Sequence, residues 1–402
     1  MKNDANISFT KKTIIGVQFL FVAFGATVLV PLLVNIEPSL ALFSAGVGTL
    51  LFHLITKGKV PVFLGSSFAF IAPITEATNQ FGYRGMLSGI VAVGVVYGVV
   101  SALVKWKGKS LIDKIFPSVV VGPIIMVIGL SLAPVAVNMA KTDWLLAVVS
   151  LLIAIFVVIY TKGMIKLIPI FIGIIAGYVL ALILGRVDFT AVKEAKWIAL
   201  PAFSAPEWRW KAVLYMVPVA VAPLIEHVGD MYAISAVAGK DFVKSPGLHR
   251  TMLGDGIATS LAGFMGSVPN TTYSEVTGAI SLTKMYNPMV LRISAITAIL
   301  FSVIGKISGI LKSIPSAILG GIMLLLFGMI ASIGIKTLIH SKTNLDNTRN
   351  MVIISVILTV GIGGAAIQFG NFSMAGIGLA SIVGVILNLL LPDRSKPVKL
   401  KK

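Results

Sequence analysis

Long apolar runs recur along the whole chain, separated by short polar or Gly/Pro-containing stretches. A bilayer core about 30 Å thick requires about 20 apolar residues in each helix that crosses it. The pattern therefore predicts an all-α polytopic membrane protein with fourteen transmembrane segments. We place them near Ile14–Ile36, Pro38–Ile55, Val60–Ala77, Met86–Val104, Phe116–Val137, Trp144–Tyr160, Met164–Leu184, Val213–Ala236, Met252–Met265, Val268–Thr283, Pro288–Ile307, Ile314–Ile333, Met351–Ile367 and Met374–Leu391.

Composition agrees with this class and narrows the chemistry. The 402 residues are 57% hydrophobic and 12% charged, against roughly 25% charged residues in soluble domains. With no cysteine and four histidines, the chain has no thiolate ligands and little material for a metal cluster, so we expect neither metal nor cofactor. We also find no Asp-rich diphosphate motif and no Ser-His pair with an orienting carboxylate, which disfavours a membrane-embedded enzyme. A channel stays open as an alternative.

The charged residues are distributed unequally between alternate loops. The chain carries 33 Lys and Arg residues against 15 Asp and Glu residues, a formal charge of +18. An even number of spans places both termini on one side, and the loops and termini on that side hold 24 of the 33 cations. Cytoplasmic loops carry such an excess, so we expect both termini to be cytoplasmic and the protein to lie in the cell membrane. Dispersal of the cations through short loops argues against a nucleic-acid partner.

The one long hydrophilic stretch, Gly185–Trp210, divides the predicted spans into seven and seven. An odd number of spans in each half gives the halves opposite orientations, which is the topology of an inverted repeat. We therefore expect a first repeat at 1–185, an extracellular loop at 186–210, a second repeat at 211–392 and a cytoplasmic basic tail at 393–402.

The third span of each half is interrupted by Gly, Pro and polar residues. The first half has Gly-Ser-Ser-Phe at 65–68, and the second has Pro-Asn-Thr-Thr-Tyr-Ser at 269–274. Extended backbone at membrane depth persists only where protein or a polar ligand satisfies its N–H and C=O groups. We expect a β-like start and a half-helix in each span, with both positive N-termini facing a ligand near the midplane. Close helix packing or simple kinks are the alternative.

Ionisable residues inside predicted spans are scarce and usually mark a site or a pathway. Glu226 and Asp230 lie four residues apart and share one helical face, and Glu275 stands at the start of the interrupted tenth span. Such carboxylates suit a polar, NH-rich ligand and, held close together, favour a shared proton. An internal ion pair or a capping role is the alternative for Glu226. His227 is expected to donate to a backbone carbonyl, and Asp255 to be structural or solvated.

The sequence resembles the nucleobase–ascorbate transporter (nucleobase:cation symporter-2) family over essentially its whole length, and within it the bacterial uracil permeases. Several long motifs in the right order make the resemblance specific. They are Phe-Gly-Ala-Thr-Val-Leu-Val-Pro at 24–31, Gly-Ser-Ser-Phe-Ala-Phe-Ile at 65–71, Glu-His-Val-Gly at 226–229, Pro-Gly-Leu-His-Arg at 246–250 and Pro-Asn-Thr-Thr-Tyr at 269–273.

The resemblance implies short strands in spans three and ten, a core domain from spans 1–4 and 8–11, and a gate domain from spans 5–7 and 12–14. It implies a homodimer that imports uracil with a proton as the core moves against the gate like an elevator. Glu226 would accept hydrogen bonds from the base, Glu275 would orient its other edge, and backbone N–H groups at Phe68 and Ser274 would meet its carbonyl oxygens. The implied substrate-binding residues are Glu226, Glu275, Phe68, Ser274, Tyr273 and Ala26; those for proton coupling are Asp230, Glu226 and Glu275; supporting residues are His227, Gln18, Ser67 and Asn270.

Three departures from the family pattern leave the substrate and the coupling ion open. Asp230 stands where related uracil permeases often have His, Val276 follows Glu275 where Asn is usual, and Phe19 follows Gln18 where a Gln-His pair is usual. Gln18 itself is expected to form a hydrogen bond between helices. A purine carrier (xanthine, urate or guanine) and a sodium-coupled nucleobase carrier are the alternatives, although Glu275, where purine carriers commonly have Gln, favours a pyrimidine.

Overall fold

The computed structural model describes residues 8–108, 114–369 and 372–392, so the predicted basic tail at 393–402 lies outside the described residues. This part of the chain is mostly helical, which lets backbone groups satisfy one another within each segment. Within it, six helical segments are long and apolar enough to cross a membrane: Phe9–Leu33, Pro38–Ile55, Tyr83–Lys107, Ser118–Ala140, Trp210–Ala238 and Ser316–His340. Shorter apolar helices are Trp144–Tyr160, Pro169–Ile183, Pro288–Ser302, Thr348–Ile362 and Gly376–Leu390.

Several helices of the first half begin at residues that favour a helix start. The Ser8 and Asp143 side chains accept hydrogen bonds from backbone N–H groups of the first turn, and Pro38 and Pro169 are first helical residues, where a missing N–H costs nothing. The elements are α1 (Phe9–Leu33), α2 (Pro38–Ile55), β1 (Leu64–Ser66), a 3₁₀ turn (Phe68–Phe70), α3 (Ile71–Phe81), α4 (Tyr83–Lys107), α5 (Ser118–Ser131), α6 (Ala133–Ala140), α7 (Trp144–Tyr160), a 3₁₀ turn (Ile165–Leu167) and α8 (Pro169–Ile183).

The second half follows a similar order of elements. They are α9 (Thr190–Glu194), α10 (Trp210–Met216), a 3₁₀ turn (Val217–Ala220), α11 (Val221–Ala238), a π-helical turn (Val243–Gly247), α12 (Leu248–Met265), β2 (Asn270–Thr272), α13 (Ser274–Thr283), α14 (Pro288–Ser302), α15 (Gly305–Lys312), α16 (Ser316–His340), α17 (Thr348–Ile362), β3 (Ala366–Phe369), β4 (Phe372–Ala375) and α18 (Gly376–Leu390).

The helices pack in two groups. In the first group, α4 and α2 pack along α12, and α14 packs against α2 and α1; in the second, α16 packs against α5, α6 and α7, and α17 against α5 and α18. A large buried apolar core joins both groups, and a smaller one among α6, α7, α8 and α16 includes Leu146, Ile174, Ile318 and Ile322. The two helix groups therefore contact each other through apolar side chains.

The segment between the two halves packs on the ends of the first group. Ala199 N–H donates to Val303 O at 2.9 Å, Ser204 N–H to Met265 O at 3.2 Å, and Glu207 N–H to Arg84 O at 2.9 Å. This segment therefore ties together the ends of α4, α12 and α14 on the side of the first helix group opposite the end of α2.

Two differences between the predicted spans and the helices of the structure change the description of the fold. The thirteenth span was expected to reach Ile367, but α17 ends at Ile362 and residues from Ala366 form a strand paired antiparallel with β4. The fifth predicted span, Phe116–Val137, is two helices that meet at Leu132, because Pro134 cannot continue the hydrogen bonding of α5. Besides the short strands expected in spans three and ten, the described residues contain a second antiparallel strand pair, which the prediction did not include.

Candidate functional site

Two short strands cross in the middle of the first helix group. Strands β1 and β2 pair antiparallel, with Leu64 opposite Thr272 and Ser66 opposite Asn270. The pairing is extended by Ser67 N–H, which donates to Pro269 O at 2.9 Å, and by Tyr273 N–H, which donates to Phe63 O at 3.2 Å. Each strand is followed within two residues by a helical segment. Because the first N–H groups of a helix have no intrahelical acceptor and point toward its N-terminus, both segments direct donors toward the strand crossing.

A cavity of about 760 Å³ lies between the two helix groups, beside this crossing. The first group contributes residues of the 3₁₀ turn, α11, β2 and α13, and the second contributes residues of α5 and α16. The cavity reaches the protein surface at the end of α16, where Lys336, His340 and Ser341 are exposed. Its polar lining includes Glu226, Asp230, Thr271, Tyr273, Ser274, Glu275, Lys336, Thr337, His340 and Ser341. It is thus a largely apolar compartment with a group of polar side chains beside the strand crossing, and it opens on one side of the protein.

Asp230 is held in place by the second broken span. Thr272 Oγ1 donates to its Oδ2 at 2.7 Å, and Ser274 Oγ donates to its Oδ1. Both donors come from the junction of β2 and α13, so the position of the carboxylate depends on the strand crossing. Hydrogen bonds between a hydroxyl group and a carboxylate belong to the stronger, charge-assisted class, so these two contacts hold the Asp230 side chain in one orientation.

Glu226 and Glu275 present their carboxylates to the cavity. Glu226 is half-buried on α11, one turn before Asp230, and Glu275 is the second residue of α13 and is exposed to the cavity. Among the described residues, no other residue donates a hydrogen bond to either carboxylate. These oxygens are therefore available to a ligand.

Tyr273 connects the strand crossing to α1. Its hydroxyl donates to Ser66 O at 3.0 Å, and Thr27 Oγ1 of α1 donates to the tyrosine oxygen at 3.4 Å. The ring passes directly over Gly65: a Cβ at that position would lie 2.3 Å from the ring and 2.7 Å from Thr27 Oγ1. Gly65 is therefore required because any side chain would displace Tyr273 from the crossing.

His227 faces away from the cavity. Rotated about 100° from Glu226 on the same helix, its Nδ1 lies 3.1 Å from Asp255 Oδ2 of α12, and both side chains are fully buried. The expectation that His227 donates to a backbone carbonyl is wrong, because its side chain contacts Asp255 instead. Of the two roles expected for Asp255, its burial against His227 fits the structural one and not the solvated one. Phe52 packs edge-to-face against the imidazole with ring centroids 6.4 Å apart, so this pair is enclosed by apolar surface.

Of the other predicted site residues, Phe68 lines the cavity, whereas Asn270, Ser67 and Ala26 lie outside its lining. Phe68 lines the cavity, and its ring packs edge-to-face on Phe327 at 6.2 Å. Asn270 donates through Nδ2 to Ser44 O at 3.2 Å and to Ala258 O at 3.3 Å, which ties β2 to α2 and α12. Ser67 and Ala26 are buried and lie outside the cavity lining. The Ala26 side chain therefore does not reach the cavity.

Gln18 is half-buried on α1. No hydrogen-bond partner for its amide is found among the described residues, so the predicted hydrogen bond between helices is absent from this arrangement.

Sequence reasoning missed the cavity residues supplied by α16. The sequence pattern gave Lys336 no role beyond that of a loop cation and gave His340 none, because both lie beyond the predicted span Ile314–Ile333 and carry no motif. Spacing alone indicates that Lys336 and His340 share a helical face, but it does not indicate which helix that face opposes. Thr272 lay within a recognised motif, and its bond to Asp230 becomes visible only when β2 and α11 are brought together.

The fold is similar to those of two solved membrane transporters. The transmembrane domain of the cyanobacterial bicarbonate transporter BicA aligns with a TM-score of 0.65 at 12% identity, over 95% of this chain and 98% of that one. Murine Slc26a9, an anion transporter solved in its inward-facing state, aligns with a TM-score of 0.71 at 11% identity, over 97% of this chain and 69% of that one. At such low identity the likeness concerns the fold alone.

Sequence comparison is more specific. A family model described as the permease family (Xan_ur_permease) matches residues 10–369. A probable uracil permease of Pasteurella multocida is 49% identical over 97% of this chain and 96% of that protein. The uracil permease of Bacillus subtilis is 45% identical over 94% of this chain and 92% of that protein. The chain therefore belongs to the nucleobase–ascorbate transporter family of multi-pass membrane permeases.

Proposed function

We propose that the protein is a nucleobase carrier that imports uracil together with a proton across the cytoplasmic membrane. One observation carries the proposal: Glu226, Asp230 and Glu275 line a single cavity beside the two helix starts of the strand crossing. The names of the curated relatives, which are uracil permeases, support the choice of base.

The cavity offers complementary groups to a small neutral ring. The carboxylates of Glu226 and Glu275 accept hydrogen bonds from ring N–H groups, and such charge-assisted bonds are the stronger class. The first backbone N–H groups near Phe68 and Ser274 lie at positive helix ends and suit the carbonyl oxygens of the base. The half-buried Phe68 ring supplies an aromatic surface for stacking.

Proton coupling follows from the crowding of the three carboxyl groups. Negative charges that share a small compartment with apolar walls repel one another, and a bound proton relieves that repulsion. Uptake of a neutral base with one proton moves one positive charge inward, and a potential of 100 mV contributes about 2.3 kcal/mol to that movement. Glu226, Asp230 and Glu275 are thus the proposed coupling residues.

The two helix groups correspond to the core and the gate of an elevator. We assign α1–α4 and α10–α14, with both strands of the crossing, to the core, and α5–α8 with α16–α18 to the gate, giving fourteen spans in two inverted sevens. The positive-inside pattern supports cytoplasmic termini. The cavity reaches the surface near Lys336 and Lys342, on that same side, which corresponds to a carrier open to the cytoplasm. A homodimer through the gate is part of the same proposal.

Uptake by proteoliposomes tests the proposal. With an inward proton gradient, wild-type protein is expected to concentrate labelled uracil, and a proton ionophore is expected to abolish accumulation. Unlabelled uracil should compete better than xanthine, urate or guanine, and replacement of the proton gradient by a sodium gradient should give no accumulation. Failure of uracil uptake, together with uptake of a purine, would overturn the choice of base. Sodium-driven accumulation would overturn the coupling ion.

A further inference from the structure

A second, smaller pocket of about 310 Å³ lies at the end of α2 and shares no lining residue with the main cavity. It is formed where α2 turns through Lys57 and Gly58 and meets the start of α14. The lining residues are Leu50, His53, Leu54, Lys57, Gly58 and Arg292. One wall is thus cationic and the other aliphatic.

Arg292 has only a neutral partner in this pocket. Its Nε donates to His53 Nδ1 at 3.3 Å, and His53 Nε2 in turn donates to Val62 O at 2.8 Å. Because the carbonyl only accepts, the second ring nitrogen carries the hydrogen, and Nδ1 is left as a neutral acceptor. No salt bridge among the described residues includes Arg292 or Lys57. The half-buried guanidinium therefore keeps its charge unneutralised.

The neighbouring cations repeat this arrangement. Lys59 Nζ donates to Ser245 Oγ at 3.0 Å, and Arg250 Nη1 donates to Ile55 O at 3.3 Å. Neither belongs to a salt bridge of the described residues. Partial negative charge at the C-terminal end of α2 amounts to about half an elementary charge, which leaves most of the charge of these cations unbalanced.

An exposed apolar stripe continues from the pocket along α14. Arg292, Ile296 and Leu300 follow at intervals of four residues and so share one helix face; Ile296 and Leu300 are 47% and 57% exposed. Leu54, 74% exposed, extends the same apolar surface onto α2. In a membrane protein such side chains face lipid tails, and the cations lie at the level where lipid headgroups begin.

We propose that the pocket binds the phosphate of an anionic phospholipid, with Arg292 and Lys57 as the charged contacts and an acyl chain along Ile296 and Leu300. Basic pockets between transmembrane helices are suited to anionic headgroups. A free phosphate ion shares the headgroup chemistry but leaves the aliphatic stripe unused, so the aliphatic surface favours the lipid as the source. The site lies on the proposed core, away from the carboxylates, and does not depend on which base is transported.

Native mass spectrometry of delipidated, detergent-solubilised protein tests this site. Titration with dioleoyl phosphatidylglycerol should give a saturable bound lipid, whereas dioleoyl phosphatidylcholine and inorganic phosphate should not compete for it. Each surface cation contributes about 1 kcal/mol to binding anionic lipid, so the double variant Arg292→Gln, Lys57→Gln should bind phosphatidylglycerol roughly 30-fold more weakly. The matched control Lys162→Gln, Lys342→Gln removes two cations elsewhere on the same proposed face and should bind as wild type does.

A second variant separates charge from structure. Arg292→Lys keeps the positive charge but alters the contact with His53, and it should bind phosphatidylglycerol within about threefold of the wild-type affinity. Equal affinity of the double variant and the wild type would overturn the proposal. So would binding by inorganic phosphate that displaces the lipid, which would identify a free-anion site. If Arg292→Lys weakened lipid binding as much as the double variant does, the proposal would also be overturned, because the guanidinium would then act through the histidine.

Discussion

Helix α11 lies between two carboxylate-containing environments that differ in access to water: the cavity on one side and the buried contact with α12 on the other. On one side, Glu226 and Asp230 line a cavity that reaches the surface, and Asp230 is bound by two hydroxyl groups. On the other side, His227 contacts Asp255 at 3.1 Å in a setting where both side chains are fully buried. Exchange of a proton or a ligand requires access, so the cavity side suits transport and the buried side suits positioning. We therefore propose distinct roles for these neighbours in the sequence.

The largest effect on stability is expected for Asp255→Ala. The substitution leaves the fully buried His227 without its partner, and removal of one member of a buried pair costs about 3–5 kcal/mol. Thermal unfolding in detergent should show a large decrease in midpoint. The control Asp346→Ala removes an exposed carboxylate and should leave the midpoint unchanged. A stable Asp255→Ala protein with no uptake would instead place the buried pair in transport.

Glu226→Gln should reduce uracil uptake without lowering stability, the opposite of what we expect for Asp255→Ala. Loss of hydrogen bonds between a charged group and the base costs roughly 1.5–3 kcal/mol, so uptake at limiting uracil should fall about 10- to 100-fold while the unfolding midpoint stays near the wild-type value. Initial-rate uptake in proteoliposomes measures this. Glu76→Gln changes an exposed glutamate outside the cavity and should behave as wild type. Unchanged uptake by Glu226→Gln would contradict the proposed binding role.

Thr272→Val tests the support of Asp230 at nearly constant side-chain shape. The variant lacks the hydroxyl that donates to Asp230 at 2.7 Å, and we expect a loss of about 1–2 kcal/mol in stability together with weaker uracil binding in a thermal-shift titration. Thr283→Val is the matched control, because that hydroxyl donates to Ala279 O of its own helix. Equal behaviour of the two variants would show that the bond to Asp230 is dispensable.

The smallest effect is expected for Ser67→Ala. Ser67 Oγ is buried, and no hydrogen-bond partner for it is found in the described part of the chain, so its removal should change stability by less than about 0.5 kcal/mol and leave uptake unaltered. A marked loss of uptake would indicate that this hydroxyl serves the cavity from behind the strand crossing.

The positions of the broken spans could be predicted from the sequence for a physical reason. Gly65 and Pro269 fall at matching places in the two halves, and extended backbone at membrane depth needs partners; the structure has β1 and β2 there. The residues within each segment thus indicated where regular helix would stop. The structure adds that β1 and β2 pair with each other, so each strand supplies hydrogen-bond partners for the backbone of the other.

Contacts between distant segments were harder to predict. The His227–Asp255 contact depends on how α11 rotates against α12, and periodicity gives the face of one helix without naming its neighbour. The same limit applies to Lys336, which enters the cavity because α16 packs against α5. The β3–β4 hairpin was missed because its apolar residues continue the hydrophobic run of the preceding helix, and composition alone does not separate the two.

The strand crossing also constrains the order in which the protein is assembled. Leu64 pairs with Thr272, more than 200 residues later in the chain, and contacts of such long separation form slowly because a large loop must first be closed. Until the second half is synthesised, backbone groups of the first broken span have no partner there: Ser67 N–H, which donates to Pro269 O, and Phe63 O, which accepts from Tyr273 N–H. During synthesis we therefore expect an interval in which the amino-terminal half is inserted while its broken span still has no strand partner.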